Sequence, residues 1–322
     1  GSRAPRREDG GRLIPVRREA RVWASSRPVI LGLALAFACA LAWAGLDVFR
    51  KQLGGAIAPL PLLFMLNVGL LPVFALWWLA AGGTITDPVA YAPPAAAALV
   101  LQVVANILFL AALRASPLSL TIPLLALTPV FATVIGVALL DERPAAVQIV
   151  GVVLVVGGAL ALGSTDGRGD RPQLLRAFVV EPGAWMMIGV AACWGITTAL
   201  DKRALEYAAV PIHALVQLSG VIVAGLAYLL LAGRRRELVQ AREQLGLLVL
   251  ATLTGSAALG LQLVAIQHVL ISQLETIKRA IGLVAAIVLG KLVFGEPITR
   301  VKTAAIVVMV AGVVLMMLGT GS

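Results

Sequence analysis

Apolar runs of about 20 residues recur along the whole chain, and they limit its fold more than any other feature of the sequence. A helix of that length crosses the roughly 30 Å hydrocarbon layer of a bilayer. Only 13% of the 322 residues are charged and 60% are apolar, which leaves too little polar surface to cover a soluble domain of this size. The sequence therefore predicts an all-α, polytopic membrane protein.

The glycine, proline and charged residues between the apolar runs predict ten transmembrane helices. The first five cover about residues 29–50, 59–81, 94–114, 117–140 and 145–163, and the second five about 183–204, 211–233, 245–267, 270–295 and 301–319. Residues 1–28 are predicted to be a basic cytoplasmic tail, in which Gly1-Ser2 is typical of a cleavage scar. Residues 164–182 are predicted to link a first repeat, 29–163, to a second repeat, 183–319.

The two halves of the chain repeat each other. WAGLDVFRK, Trp43–Lys51, matches WGITTALDK, Trp194–Lys202, and a glycine precedes a glutamate by six residues in both Gly136–Glu142 and Gly290–Glu296. Each half holds five predicted helices, and an odd number requires one copy to be inserted upside down relative to the other. The prediction is two inverted five-helix repeats, a pattern typical of secondary transporters. The alternative is duplication within a purely structural bundle.

These repeated features resemble the drug/metabolite transporter superfamily in its EamA-type form of two five-helix repeats. The resemblance covers about residues 29–319 and implies a transporter in a family that moves amino acids, drugs, sugars and nucleotide sugars. The ninth helix, Thr276–Pro297, is similar to that of the plastid triose-phosphate/phosphate translocators. That likeness implies that Lys278 and Arg279 contact a substrate phosphate. The translocators also use a lysine in the fourth helix, and the fourth helix here has no base.

The stretch LETIKRAIGL, Leu274–Leu283, places Glu275, Lys278 and Arg279 inside the ninth predicted helix. Each charge at bilayer depth costs on the order of 2.5–3.5 kcal/mol, and a rise of about 1.5 Å per residue puts Lys278 roughly 12 Å into the layer. Two interpretations stay open. Either Glu275 pairs with the bases at helical spacing and leaves one positive charge over, or the bases face a water-filled cavity and bind an anion.

Polar side chains on neighbouring helices predict the remainder of a substrate cavity. The predicted substrate-binding residues are Gln102 and Asn106 on the third helix, Thr128 on the fourth, Ser256 and Gln267 on the eighth, and Glu275, Lys278 and Arg279 on the ninth. The alternative is that the polar residues outside the ninth helix serve helix–helix packing. Asp47 and Asp201, near the ends of the first and sixth helices, are predicted gating or proton-coupling residues. Interfacial salt bridges are their alternative role.

The sequence lacks the signals of an enzyme. It has no metal-ligand spacing, no nucleophile motif and no paired carboxylates in a polar loop. Its two cysteines, Cys39 and Cys193, lie inside apolar runs, where they are typical of small apolar side chains. We therefore expect no catalytic residues, no metal and no cofactor.

The predicted function is that of a secondary transporter that moves a small organic anion by alternating access, with phosphate-bearing compounds as the favoured class. Its partners would be that anion, the lipid bilayer and a coupling proton or counter-substrate. One alternative is a flippase for a lipid-linked phosphate. Another is an exporter of amino acids or drugs in which Glu275 is the selective group. A non-transporting membrane scaffold is the remaining alternative.

The net charge of +10 is concentrated in the N-terminal tail, which carries eight arginines in its first 27 residues. Such a tail beside a first apolar run indicates a topology signal or an anionic-lipid contact, and not a nucleic-acid site. It predicts a bacterial cytoplasmic (inner) membrane location with both termini in the cytoplasm. Basic residues in the loops on the other side of the membrane, including Arg234–Arg236, argue against that orientation.

Overall fold

The computed structural model describes residues 16–116, 122–163, 181–231, 244–294 and 299–318. Within those ranges the chain forms ten α-helices and one 3-10 segment, Ile122–Leu127, directly before α4. The helices are α1 Val16–Leu53, α2 Pro59–Ala81, α3 Pro88–Ala115, α4 Thr128–Leu140, α5 Ala146–Gly163, α6 Pro182–Ala204, α7 Val210–Leu231, α8 Leu245–Ala265, α9 Ile271–Phe294 and α10 Arg300–Leu318. The predicted all-α, ten-helix fold is confirmed.

Length and composition allow eight of these segments to cross a membrane. The fourth of them joins the 3-10 segment to α4. The other two helices are α5, whose apolar stretch Ala146–Ala161 is shorter, and α9, which carries the charged stretch. The exposed side chains of the bundle include many valines and leucines, as expected for helices that face lipid.

Three predicted boundaries were wrong. Helix α1 begins at Val16 and not at residue 29, so the second half of the predicted tail is helical. Helix α3 begins at Pro88 and not at residue 94. The pair Pro93-Pro94 suggested a later start, but Asp87 accepts hydrogen bonds from the amides of Val89 and Ala90 and caps the helix one and a half turns earlier.

The third error is in the fourth segment, which is not one continuous α-helix over 117–140. Residues 122–127 are 3-10 helix, and residues 117–121 lie outside the described ranges. Pro129 has no amide hydrogen to donate to the carbonyl oxygen of Leu125. The Thr128 hydroxyl donates to that oxygen instead, at 2.7 Å. The change from 3-10 to α-helix therefore falls where proline breaks the backbone ladder.

The packing of the ten helices follows an approximate two-fold symmetry. Helix α1 packs against α8 and α9, and α6 packs in the same way against α3 and α4. Helix α2 packs against α7, α5 against α10, and α4 against α9. Exchanging each helix for the one five places later maps this set of contacts onto itself. The repeat read from the sequence is therefore also a repeat in the packing.

Glycine allows the closest of these crossings, between α5 and α10. A Cβ added at Gly151 would lie 2.6 Å from the carbonyl oxygen of Gly312, and one added at Gly312 would lie 2.7 Å from the carbonyl oxygen of Gly151. Both distances are shorter than van der Waals contact, so any side chain at either position would push the helices apart. Small residues that let backbones touch are a common device in membrane helix pairs.

We call one end of the bundle the near face, where α4 and α6 end and α7 and α9 begin, at Leu140, Ala204, Val210 and Ile271. The opposite end is the far face. At the near face the α2–α3 and α6–α7 loops are joined by an antiparallel bridge between Ile85 and Ala208 and by a hydrogen bond from the Thr86 amide to the Tyr207 carbonyl, 2.8 Å. These contacts connect the first repeat to the second.

Candidate functional site

Helix α9 changes character along its length. From Ile271 to Ile277 every side chain is buried, and Glu275 is only 1% exposed. Lys278 and Arg279 follow roughly 10–12 Å from the helix start and are partly exposed, as are the residues from 281 to 285. The charged stretch therefore lies where the packed near-face half of α9 gives way to a more open far-face half.

Lys278 is held by a network that reaches three helices. Its Nζ donates to Glu275 Oε1 at 2.6 Å and to Gln262 Oε1, on α8, at 2.8 Å. The same Gln262 oxygen accepts the indole N–H of Trp43, on α1, at 3.0 Å. Glu275 Oε1 also accepts the Thr198 hydroxyl, on α6, at 3.0 Å. The ammonium group thus has a carboxylate partner and a neutral one.

Arg279 has quite different surroundings. Its Nη2 donates to the Thr128 hydroxyl at 3.2 Å, and its Nε is buried without a hydrogen-bond partner. Among the described residues, the ion pairs include Lys278 with Glu275 but none to Arg279. Of the two predicted pairs, Glu275 therefore forms the one with Lys278 and not the one with Arg279. The positive charge left over is on Arg279.

The tryptophan that opens each repeat lies against one of the two bases. Lys278 Nζ is 5.9 Å from the ring centroid of Trp43, and Arg279 Cζ is 5.3 Å from that of Trp194. Such cation–π contacts stabilise a cation by about 0.5–2 kcal/mol and leave its outward N–H groups free to donate. The sequence repeat therefore supplies two matched aromatic walls, one from α1 and one from α6.

There is open space beside Gly282, on the far-face side of Arg279 along α9. Gly282 is one helical turn further along α9, and a Cβ built on it would meet no described atom within 4 Å. Lys278, by contrast, is enclosed by Gln262, Glu275 and Trp43.

Glu142 closes the bundle between this site and the near face. Its Oε1 accepts Lys202 Nζ at 2.7 Å, and both carboxylate oxygens accept the backbone amide of Ile271, each at 3.2 Å. Lys202 Nζ also donates to the Val269 carbonyl at 2.8 Å. A carboxylate at a helix N-terminus is stabilised by the free amides there. Glu142 belongs to the first repeat and its partners to the second, so this contact fastens the halves together.

The geometry explains the repeated glycine–glutamate spacing. Helix α4 is capped by Asp141, which adopts the left-handed conformation and donates its amide to the Gly136 carbonyl, the six-to-one bond with which many helices end. The same carbonyl also accepts the Glu142 amide, at 3.0 Å. The Glu142 carboxylate then folds back, and a Cβ at Gly136 would lie 2.7 Å from its Oε2. Glycine is therefore needed for the carboxylate to reach Ile271. The second copy of this motif ends at Glu296, which lies outside the described residues.

The predicted substrate-binding residues fall into two groups. Glu275, Lys278, Arg279 and Thr128 lie together, linked by the contacts above. The other four take no part in those hydrogen bonds within the described chain: Gln102 and Asn106 are partly buried on α3, the Ser256 hydroxyl donates to the Thr252 carbonyl, and Gln267 is exposed beyond α8. Their role in binding stays a prediction.

Gln262 is buried and contacts both Lys278 and Trp43, although the sequence did not single it out. The signal was present, because an amide side chain inside an apolar run needs a partner. Thr198, which binds Glu275, was also missed.

The two predicted gating or coupling aspartates have different environments. The Asp47 side chain is 64% exposed and pairs with Arg50 at 3.2 Å, a pairing typical of a surface ion pair. Asp201 is buried, and its Oδ1 lies 3.2 Å from Nε2 of His213. In the described ranges no three His, Cys, Asp or Glu side chains are grouped as metal ligands, and Cys39 and Cys193 are free and buried.

Comparison with known proteins identifies the family of this chain. The profile of the EamA-like transporter family matches residues 30–164 and again residues 181–318. The chain belongs to the EamA-like transporter family. It is accordingly an integral membrane protein and a membrane transporter, from a family of transporters and not of enzymes. The EamA-type resemblance is thereby confirmed, while the likeness of α9 to the triose-phosphate translocators stays a prediction.

A solved structure supports the fold of this EamA-like chain. A protein known from a crystal structure superposes with a TM-score of 0.71 over 88% of this chain and 95% of its own, at 16% sequence identity. Identity that low shows a shared fold and leaves the substrate open. No protein of curated function matches the sequence significantly.

Proposed function

We propose that this EamA-like protein is a secondary transporter that carries a small organic anion across the membrane by alternating access, with Arg279 as the main anion ligand. The observation that carries the proposal is the imbalance between the two bases. Lys278 has a carboxylate partner at 2.6 Å, whereas Arg279 has one hydroxyl and one aromatic face. A cation at this depth without a direct ion-pair partner is stabilised when a ligand brings the opposite charge.

The chemistry of Arg279 indicates the class of ligand. A guanidinium is planar and donates paired hydrogen bonds that match a phosphate or a carboxylate. Trp194 lies against the guanidinium group, and Gly282, one helical turn further along α9, has free space beside it. Phosphate esters and carboxylates are therefore the substrates that this site fits best. Lys278 would add a second, longer-range positive charge.

Glu275 favours a second candidate, an exporter of amino acids. Its Oε2 is buried and has no hydrogen-bond partner. A zwitterion would place its carboxylate on Arg279 and, after a small rearrangement, its ammonium group on that oxygen. A flippase for a lipid-linked phosphate would use the same arginine and differ only in the apolar part of its substrate.

Alternating access is supported by the difference between the two faces. Glu142, Lys202 and Ile271 join the two repeats at the near face, while α9 is only partly buried toward the far face. We further propose that both termini are cytoplasmic in a bacterial inner membrane, on the strength of the arginine-rich tail. Labelling of a cysteine placed within residues 232–243 from the cytoplasmic side would contradict that orientation.

Thermal unfolding of the purified protein tests the anion site. The panel consists of inorganic phosphate, glycerol 3-phosphate, succinate, glutamate and undecaprenyl phosphate. A ligand at one hundred times its Kd stabilises the folded state by about 2.7 kcal/mol, so at least one anion should raise Tm. Glutamate alone would favour the amino-acid exporter, and undecaprenyl phosphate alone the flippase.

The matched variants are Arg279→Ala and Arg203→Ala. Arg203 pairs with Glu206 at the surface, where both side chains are 45% exposed. We expect Arg279→Ala to lose the response to the anion and Arg203→Ala to keep it. A panel in which no anion stabilises the wild type, or in which Arg279→Ala responds like the wild type, would refute the anion site.

A further inference from the structure

A second polar cluster, apart from the α9 bases, lies buried at the near face. It consists of Asp201 at the end of α6, His213 at the start of α7 and Tyr91 in the second turn of α3. His213 Nε2 is 3.2 Å from Asp201 Oδ1, and His213 Nδ1 is 3.1 Å from the Tyr91 hydroxyl. The imidazole is 0% exposed. Three buried groups therefore form one hydrogen-bonded chain across both repeats.

This chain can hold one proton more or one proton fewer without losing a hydrogen bond. A neutral imidazole donates from one nitrogen and accepts at the other, so His213 would donate to Asp201 and accept from Tyr91. An imidazolium donates from both nitrogens, and the Tyr91 hydroxyl then accepts. The tyrosine suits both states because a phenol is a donor as well as an acceptor. A structural hydrogen bond alone would not require this versatility.

The other charged groups near the cluster are already paired. On α6, Lys202 pairs with Glu142 of α4. Just beyond it, Arg203 pairs with Glu206 and lies 5.9 Å from the Tyr207 ring. On the α3 side, Asp87 caps its helix. Tyr207 packs against the apolar side chains around Tyr91.

In the described part of the chain, His213 is therefore the group that can balance the negative charge of Asp201. With a neutral imidazole the buried pair carries one negative charge, and with an imidazolium it is neutral overall. Burial disfavours net charge. The closed near face is therefore the conformation that retains the proton, and entry of water between the repeats is the event that releases it.

We propose that Asp201, His213 and Tyr91 form a proton-binding site that couples protonation to closure of the near face. The proposal rests on the transport function above and names its coupling ion. Tyr91 belongs to the first repeat and the other two groups to the second, so separation of the repeats breaks the Tyr91–His213 hydrogen bond. Asp201 also lies next to Lys202, which closes this face, and one turn from Thr198, which binds Glu275.

The sign of the effect follows from linkage. The closed conformation binds the proton and the open one releases it, so acid favours closure and rising pH favours opening. Ser272, 1% exposed beside the Glu142–Ile271 contact, is a suitable reporter. The experiment uses the full chain in nanodiscs with Cys39→Ala, Cys193→Ala and Ser272→Cys. It measures the rate of labelling by a membrane-impermeant maleimide at a series of pH values, corrected for the reagent's own pH dependence.

We expect the corrected rate to rise at least about tenfold between about pH 5 and pH 8. His213→Gln and Asp201→Asn should flatten that response, because neither variant keeps both the imidazole and the carboxylate. His268→Gln is the matched control, since His268 is exposed at the end of α8, and it should keep the response. A wild type without pH dependence, or a dependence that survives both His213→Gln and Asp201→Asn, would overturn the proposal.

A direct measurement covers the case in which those variants fail to fold. Nitrogen-15 spectra of histidine-labelled wild type report the protonation of His213 and His268 separately. A His213 signal that changes protonation over the pH range of the labelling response supports the site, and one that does not change overturns it. The anion site is tested independently, because Arg279→Ala should abolish anion stabilisation and leave the pH response intact.

Discussion

Lys278 and Arg279 are neighbours in sequence, yet the structure gives them different tasks. Lys278 shares Glu275 and Gln262 with other donors and is largely neutralised within the protein. Arg279 is steadied by Trp194 and Thr128, neither of which carries charge. A charge at this depth costs several kcal/mol unless it is compensated. Arg279 has no direct ion-pair partner among the described residues, and it is therefore the base to which we propose that the substrate binds.

Gln262 provides a prediction at the scale of the single residue. Gln262→Leu removes the acceptor shared by Lys278 Nζ and the Trp43 indole, both of which are partly buried. We expect the free energy of unfolding to fall by about 1–3 kcal/mol, measured by thermal or chemical denaturation in detergent. Gln267→Leu is the matched control, because Gln267 is exposed and its loss should change stability by less than about 0.5 kcal/mol. Equal effects of the two substitutions would contradict the assigned network.

The sequence singled out the charged residues of the candidate site and Thr128, but not Gln262 or Thr198. Glu275, Lys278 and Arg279 stand out because charge inside an apolar run needs a physical reason. Gln262 and Gln267 look alike in the sequence, where they lie five residues apart in one apolar run. Which of them faces α9 depends on how α8 is rotated against its neighbours, and no local pattern records that rotation. His213 was likewise visible as a histidine but not as the partner of Asp201.

At the scale of the helix, proline and glycine determine where the helix type changes and how closely two helices pack, which helix propensity alone does not. Pro129 ends the 3-10 segment and forces Thr128 to satisfy the Leu125 carbonyl. The same Thr128 hydroxyl then accepts from Arg279. The change from 3-10 to α-helix in the fourth segment thus positions Thr128 as a neutral hydrogen-bond partner of Arg279. Apolar run lengths predicted the helices, but they contain no information about such a change in helix type.

The α5–α10 crossing provides a prediction for a helix pair. Gly151→Ala places a methyl group 2.6 Å from the Gly312 carbonyl oxygen and should lower the free energy of unfolding by about 1–3 kcal/mol through overpacking. Gly157→Ala, on the same helix, meets no described atom within 4 Å. It should be neutral or raise stability by up to about 1 kcal/mol, because alanine is the better helix former. Thermal denaturation of both variants checks this, and equal destabilisation would contradict the crossing.

At the scale of the whole molecule, the two repeats share their packing but differ in detail. The near-face half of α9 is α-helical and buried, whereas the segment before α4 is 3-10 helix. The two tryptophans occupy matching places in the repeats, yet both bases come from the second repeat. A symmetric scaffold with an asymmetric site suits a protein whose halves move against each other around one ligand.

Helix number, repeat and inversion were predictable because each rests on run length, identity or parity within the sequence. The pairing of helices and the closure of one face were not, because they depend on contacts between distant segments. Glu142 illustrates the limit. The sequence marked it through a repeated spacing, but its partners Lys202 and Ile271 lie 60 and 129 residues away.

Counterflow into proteoliposomes is the most direct test of the central claim that Arg279 binds the transported anion. Vesicles loaded with unlabelled phosphate or glycerol 3-phosphate are diluted into the labelled anion, and accumulation of label is followed for the wild type, Arg279→Ala and Arg203→Ala. We predict accumulation by the wild type and by Arg203→Ala, and a loss of at least about tenfold in Arg279→Ala. Undiminished accumulation by folded Arg279→Ala would contradict the claim.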